Sequence, residues 1–219
     1  MSRPAAAPAP STEPAEADLL HSRIRAWFAA SARDLPWRRA DCSPWGILVS
    51  EFMLQQTPVI RVLPVWEQWM RRWPRPADLA ADPAGEAVRA WGRLGYPRRA
   101  LRLHAAAAAI VDRHGGRVPD DHASLLQLPG VGTYTAAAVA SFAFGLPETV
   151  VDTNIRRVHA RLVSGAALPA PSLTAAEMRT AHQLMPAQGT KEWNAGVMEL
   201  GALICTAATS PCRSARRVP

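Results

Sequence analysis

The chain has 219 residues, 48% of them hydrophobic, enough for one or two small domains with a real core. No run of about 18 uninterrupted apolar residues occurs, which excludes a membrane span, and the N-terminus lacks a charged-then-apolar leader, so a cytoplasmic protein is expected. The net charge of +7 points to a polyanionic partner such as nucleic acid, although a basic surface with no partner has the same composition. The three cysteines are too few and too unevenly placed for a disulfide framework. Nearly all the positive charge is arginine, with Lys191 the only lysine.

In chain order, residues 1–17 carry Pro, Ala, Ser and Glu without apolar period and are expected to form a disordered tail. From Asp18 the pattern turns helical, with Leu19, Leu20, Ile24, Trp27 and Phe28 at helical spacing and Pro36 closing the element. Ser43-Pro44 and Thr57-Pro58 each read as a cap followed by proline at the first helical position. They open consecutive helices, one running through Glu51 and one through Trp66 and Trp69. Further helices are expected near 84–92, 98–114, 121–127 and 134–144, then near 174–185, where Thr174 and Glu177 form a capping box, and near 192–205. The best strand candidate, Glu148 to Asp152, is short and has no partner, so the chain reads as all-α.

Three segments carry the chemistry. Leu128-Pro129-Gly130-Val131-Gly132 lies between two helical patterns, with Tyr134 opening the second. A turn with two glycines lets backbone approach a phosphate, and the next helix offers its N-terminal amides to the same anion. A plain helix–helix connection has the same composition. Ser50-Glu51-Phe52-Met53-Leu54-Gln55-Gln56-Thr57 sets a glutamate among apolar residues near a helix end. Such a carboxyl group could serve as a general acid, or it could be a surface glutamate of an amphipathic helix. Val151-Asp152-Thr153-Asn154 places Asp152 where an N-cap belongs. The alternative is a second carboxylate facing Glu51, since glycosidic hydrolysis through a cationic sugar needs one acid and one anion.

Taken together with Leu35-Pro36-Trp37-Arg38, Leu94-Gly95-Tyr96 and Met198-Glu199-Leu200-Gly201-Ala202, these segments resemble the MutY-type adenine DNA glycosylases of the helix-hairpin-helix, endonuclease III superfamily. The resemblance runs from about Ile24 to Cys212 with the motifs in the family's order. It implies an all-α fold of two helical domains with a cleft between them. Residues 36–147 would form a helical barrel with the hairpin, and 18–35 plus 148–219 a second helical domain. It implies a monomeric base-excision enzyme acting on duplex DNA that carries adenine mispaired with 8-oxoguanine or guanine, the adenine being flipped out of the helix. A thymine or uracil mismatch glycosylase of the same superfamily, or an inactive DNA-binding remnant, are the alternatives.

By residue match, Glu51 would protonate the adenine and then help to activate water, and Asp152 would stabilise the cationic sugar. Tyr134 stands where bifunctional relatives carry a lysine, and a phenol cannot form a Schiff base, so a purely hydrolytic enzyme is expected. Trp37, Arg38 and Leu54 match the adenine pocket, Gln56 the wedge inserted into the base stack, and Tyr96 the loop that reads the opposite base. Gln55 and Asn154 are further substrate-binding candidates, and Leu128, Gly130, Val131 and Gly132 would hold the DNA backbone.

The sequence departs from the family in several places. The family's 4Fe–4S cluster takes four cysteines. Here Cys205 and Cys212 have six residues between them, the third position is Ala215, and the chain stops at Pro219, so the cluster is expected to be absent or incomplete. The family's C-terminal recognition domain is expected to be missing as well. Ala195 stands where a glutamine often hydrogen-bonds the flipped adenine, and Pro97 replaces a second tyrosine after Tyr96.

Overall fold

The computed structural model describes residues 14–207, and every regular element among them is helical. The first helix, α1 (Pro14–Ser31), begins four residues before the expected Asp18. Residues 14–17 are therefore helix rather than tail: proline is tolerated at a first helical position, and Glu16 places a negative charge on the amide-rich first turn. Residues 148–152, the strand candidate, carry no regular structure, and Asp152 ends them as the cap of a helix. No described helix is long and apolar enough to cross a membrane.

The chain divides into two compact units, Arg33–Glu148 and the described parts of Met1–Ala32 with Thr149–Pro219. The first begins with a 3-10 turn, Pro36–Arg38, and contains α2 (Pro44–Leu54), α3 (Val59–Arg72), α4 (Pro76–Ala81), α5 (Ala84–Trp91), α6 (Arg98–His114), α7 (His122–Leu126) and α8 (Thr133–Phe144). At its centre lies α2, in which every residue from Trp45 to Met53 is buried. A helix apolar all round has no solvent face and must be enclosed, and α3, α6 and α8 pack around it. Ser43 starts it as expected, its hydroxyl accepting from the Gly46 N–H at 3.1 Å.

Tryptophans fill much of this core. Trp69 sits edge-on to Trp73 and Trp91 at 4.8 and 5.6 Å between ring centroids, and Trp37 edge-on to Trp66 at 5.6 Å. Their indole N–H groups reach carbonyls or carboxylates: Trp45 to Trp73, Trp66 to Gly46, Trp69 to Ala90, Trp73 to Asp82 and Trp91 to Gly95. A buried indole left unpaired would cost about 1–3 kcal/mol, so these bonds specify which tryptophan faces which helix.

The second unit holds α1, α9 (Thr153–Leu162), α10 (Ala175–Gln183) and α11 (Thr190–Leu203), with α11 packed on both α1 and α9. Two glycines allow the approach. A Cβ on Gly196 would stand 3.0 Å from Ile24 Cγ2 of α1, and one on Gly201 would stand 2.7 Å from Asn154 Cβ of α9. The capping box of α10 is formed as expected: Thr174 Oγ1 accepts from the Glu177 N–H at 3.2 Å, and Glu177 Oε2 accepts from the Thr174 N–H at 2.8 Å.

Candidate active site

Glu51 lies in the last turn of α2 and is only 6% exposed. The amphipathic surface helix is thereby set aside, because this carboxyl group belongs to a helix buried on all sides. The hairpin packs on the same helix. Val131 N donates to Leu128 O at 3.1 Å, with Pro129 second and Gly130 third at φ +81°, the geometry of a type II turn. A side chain at Gly130 is barred twice, by its φ and by space: a Cβ would stand 2.7 Å from Arg102 Cβ and 3.0 Å from Phe52 Cε1. The turn therefore sits directly against the residue that follows Glu51.

Gly132 has a different use. It takes an extended conformation as N-cap of α8, contributes no side-chain cap, and a Cβ there would meet nothing within 4 Å. The first turn of α8 thus presents amides over an open approach, the arrangement that binds phosphate. Leu128 and Val131 are buried and anchor the turn, and Tyr134 is half-buried in that first turn of α8.

From half-buried Leu54, the last residue of α2, the chain runs through half-buried Gln55 to exposed Gln56. The expected cap of α3 is corrected here. Pro58, not Thr57, is the N-cap residue of α3. The buried Thr57 hydroxyl instead donates toward Leu94 O and Gln55 O, both at 3.2 Å, and accepts from Arg99 Nη2 at 3.0 Å. Gln56 and Tyr96 are the non-glycine residues with positive φ among those described, +55° and +48°. Each costs on the order of 1–2 kcal/mol that the surroundings must supply. Tyr96 is 68% exposed, and Pro97 after it begins the cap of α6, its carbonyl accepting from Ala100 N at 3.0 Å.

Trp37 is buried in the core against Trp66, and Arg38 beside it is half-buried. A cavity of about 580 Å³ opens at the other end of α2, lined in part by Ser43, Trp45, His114, Arg117 and Asp121. Seven residues of helix, about 10 Å, separate its proline Pro44 from Glu51, so the cavity lies away from that carboxyl group.

In the second unit Asp152 is the N-cap of α9, as its position in the sequence suggests. Its Oδ1 accepts from the Ile155 N–H at 2.7 Å and its Oδ2 from Asn154 Nδ2 at 3.0 Å. Burial pushes the Asp152 carboxyl above the usual range, opposed by these bonds and by the charge of Arg157. Arg157 extends the network, its Nη2 donating to Asn154 Oδ1 and Gly201 O, both at 2.7 Å, and its Nε to Cys205 O at 2.6 Å. Ala195 lies buried on α11.

The expected cluster ligands can be placed only in part. Cys205 Sγ faces Arg161 Nη1 at 3.4 Å, and Cys212 lies outside the described residues. Among the described residues no group of three or more His, Cys, Asp or Glu could hold a metal ion. They do not by themselves make a four-ligand site, and no step below passes through such a group.

The residues that sequence reasoning missed are Arg99 and Arg157, each 7% exposed. A signal existed: Arg99 falls in register with Leu103, Ala106, Ala107 and Ile110, the buried stripe of α6. An arginine on an apolar stripe needs partners inside: the Arg99 Nη1 and Nη2 groups find six oxygens, while its buried Nε finds none.

Residues 49–183 match the HhH-GPD superfamily of base excision DNA repair proteins. The chain is 51% identical over 192 residues to an adenine DNA glycosylase of Mycobacterium tuberculosis, covering 87% of this chain and 63% of that protein's length. Its fold is similar to a thermostable thymine-DNA glycosylase, with a TM-score of 0.80, 30% identity and 90% of each chain covered. It is also similar to endonuclease III in a non-covalent complex with DNA, with a TM-score of 0.77, 25% identity and 92% and 91% of the two chains covered. With its hairpin, its buried helix-end glutamate and its capping aspartate, this chain belongs to the HhH-GPD superfamily of base excision DNA repair proteins.

Proposed function

We propose that the chain is a monofunctional adenine DNA glycosylase, hydrolysing the N-glycosidic bond of adenine mispaired with 8-oxoguanine or guanine in duplex DNA. The observation that carries this reading is Glu51, enclosed near the end of a helix buried from Trp45 to Met53, in a chain 51% identical to an adenine DNA glycosylase. Glu51 donates a proton to the adenine ring, the C1′–N9 bond breaks with its electron pair leaving on the base, and the sugar becomes an oxocarbenium-like cation. The Asp152 carboxylate stabilises that cation. The Glu51 carboxylate then takes a proton from the incoming water, whose oxygen bonds to C1′ and leaves an abasic site.

Gln56 acts as the wedge, Tyr96 reads the opposite base, and Trp37, Arg38, Leu54, Gln55 and Asn154 form or support the adenine site. The Leu128–Gly132 turn and the α8 amides hold backbone phosphate. Tyr134 leaves the site without an amine, so the product strand stays intact. The enzyme works as a monomer in the cytoplasm, where Cys42 and Cys205, neither of them in a disulfide, stay reduced.

A second reading, a thymine mismatch glycosylase, is favoured by the likeness to the thermostable thymine-DNA glycosylase and by Ala195, which offers adenine no polar reader. Single-turnover assays on duplexes carrying A opposite 8-oxoguanine and T opposite G, with breaks scored with and without alkali, separate the two. Alkali-dependent cleavage of the adenine strand, reduced at least about a hundredfold in Glu51→Gln with duplex binding kept, supports the first. Cleavage confined to the thymine strand supports the second. Salt-sensitive binding without any cleavage would mark an inactive DNA-binding protein.

A further inference from the structure

The Arg99 side chain is bonded to the chain beside both of the strained, exposed residues of the first unit. Its Nη1 donates to Phe52 O at 3.1 Å, Met53 O at 3.2 Å and Gln55 O; its Nη2 donates to Thr57 Oγ1 at 3.0 Å, Leu94 O at 3.2 Å and Gly95 O at 3.1 Å. The bonds to Gln55 and Thr57 bracket Gln56. Those to Leu94 and Gly95 precede Tyr96, and the Arg99 N–H itself donates to Tyr96 O at 2.9 Å. The guanidinium carbon stands 5.7 Å from the Tyr96 ring centre and 5.3 Å from that of Trp91, whose indole N–H also donates to Gly95 O. Arg61 Nη2 adds a bond from α3 to Arg93 O.

The chemistry of this arrangement is specific to arginine. Phe52 and Met53 contribute carbonyls at the C-terminus of α2, where no further helical turn supplies donors and where the helix dipole favours a cation. A planar fork reaches α2 with one nitrogen and the Tyr96 loop with the other, holding both at a set separation; a lysine ammonium offers one point instead of two. Gln56 and Tyr96 hold left-handed backbone conformations with exposed side chains, and such strain persists where the surroundings over-determine it.

We infer that Arg99 is the positioning residue that fixes Gln56 and Tyr96 relative to each other, so that wedge insertion and reading of the opposite base occur as one event. This rests on the glycosylase reading above for what the two side chains touch. The consequence is that loss of the fork uncouples the two tasks: duplex binding through the hairpin persists, while extrusion of the target base and preference for the opposite base are lost together.

The test uses duplexes with 2-aminopurine in place of the target adenine, opposite 8-oxoguanine or guanine, and follows the fluorescence rise on extrusion. Single-turnover cleavage of the matching adenine duplexes runs in parallel. The variants are Arg99→Lys and Thr57→Val, the second keeping shape while deleting the hydroxyl that joins Gln55, Leu94 and Arg99. For Arg99→Lys, extrusion slows about tenfold or more and the rate ratio between the two opposite bases falls toward one, with the duplex Kd nearly unchanged. Thr57→Val shifts both readouts the same way by about threefold. If Arg99→Lys does not fold, as thermal melting would reveal, Thr57→Val decides alone. Wild-type extrusion and wild-type opposite-base preference in the folded variants overturn the inference. Extrusion without cleavage in the wild type removes the glycosylase reading and leaves the Arg99 test standing, whereas a wild type that never extrudes the base overturns both.

Discussion

Gly201 of α11 packs directly on Asn154 of α9: a Cβ on the glycine would stand 2.7 Å from Asn154 Cβ and 3.0 Å from its carbonyl oxygen. Because Asn154 holds Asp152 Oδ2 and is itself held by Arg157, the two helices meet at the residue that orients the capping carboxylate. Gly201→Ala is expected to destabilise the protein by about 1–3 kcal/mol through overpacking at backbone that cannot yield. It should also slow single-turnover cleavage more than it weakens duplex binding. Urea unfolding together with the single-turnover assay checks both; equal losses of rate and binding would argue that the carboxylate is not disturbed.

Gly130→Ala should injure DNA binding rather than chemistry. The new methyl group meets Arg102 and Phe52, and φ +81° is strained for alanine, so the turn must shift and carry the α8 amides with it. Wild-type affinity for an undamaged duplex is expected to fall steeply with added salt, as phosphate contacts require. In Gly130→Ala the affinity drops at every salt concentration, by about tenfold for a loss near 1.4 kcal/mol. Fluorescence anisotropy across a salt series measures this, and salt-independent binding would count against the phosphate site.

His159 is expected to make stability depend on pH. It is buried on α9, its Nε2 has no hydrogen-bond partner, and burial lowers its pKa from 6.5 to about 4. The unfolded chain therefore binds a proton between those values that the folded chain refuses. The stability held by neutral His159 is complete above pH 6.5 and is lost as pH falls through about 4, a loss on the order of 3 kcal/mol. Asp152, raised by burial, acts in the opposite sense, gaining relative stability as pH falls. Urea midpoints between pH 7 and 4 should decline in the wild type and flatten in His159→Leu; parallel curves would show that other groups carry the acid sensitivity.

Borohydride trapping tests the hydrolytic character. Tyr134 occupies the first turn of α8 and Lys191, on α11, is the only lysine in the chain. With no amine at the hairpin, incubation with substrate and borohydride should yield no covalent protein–DNA complex, and Lys191→Arg should cleave at the wild-type rate. A trapped complex that disappears in Lys191→Arg would reassign the chain to the bifunctional class.

Much of this molecule could be read from local chemistry. Caps and turns are short-range, so Ser43-Pro44, the Thr174–Glu177 box, Asp152 and the Pro129-Gly130 turn stand where their residue types put them. The order of motifs likewise placed the chain in its superfamily. Thr57 shows where such reading stops: its hydroxyl left the cap of α3 because a buried guanidinium, forty-two residues on, offered it a better partner. Whether Glu51 is enclosed or solvated depended on α3, α6 and α8 closing around α2, and no local pattern contains that. Arg99 and Arg157 look like surface charge in a basic sequence. Only the packed chain decides that they lie inside, because a buried cation is stable there only when distant carbonyls converge on it.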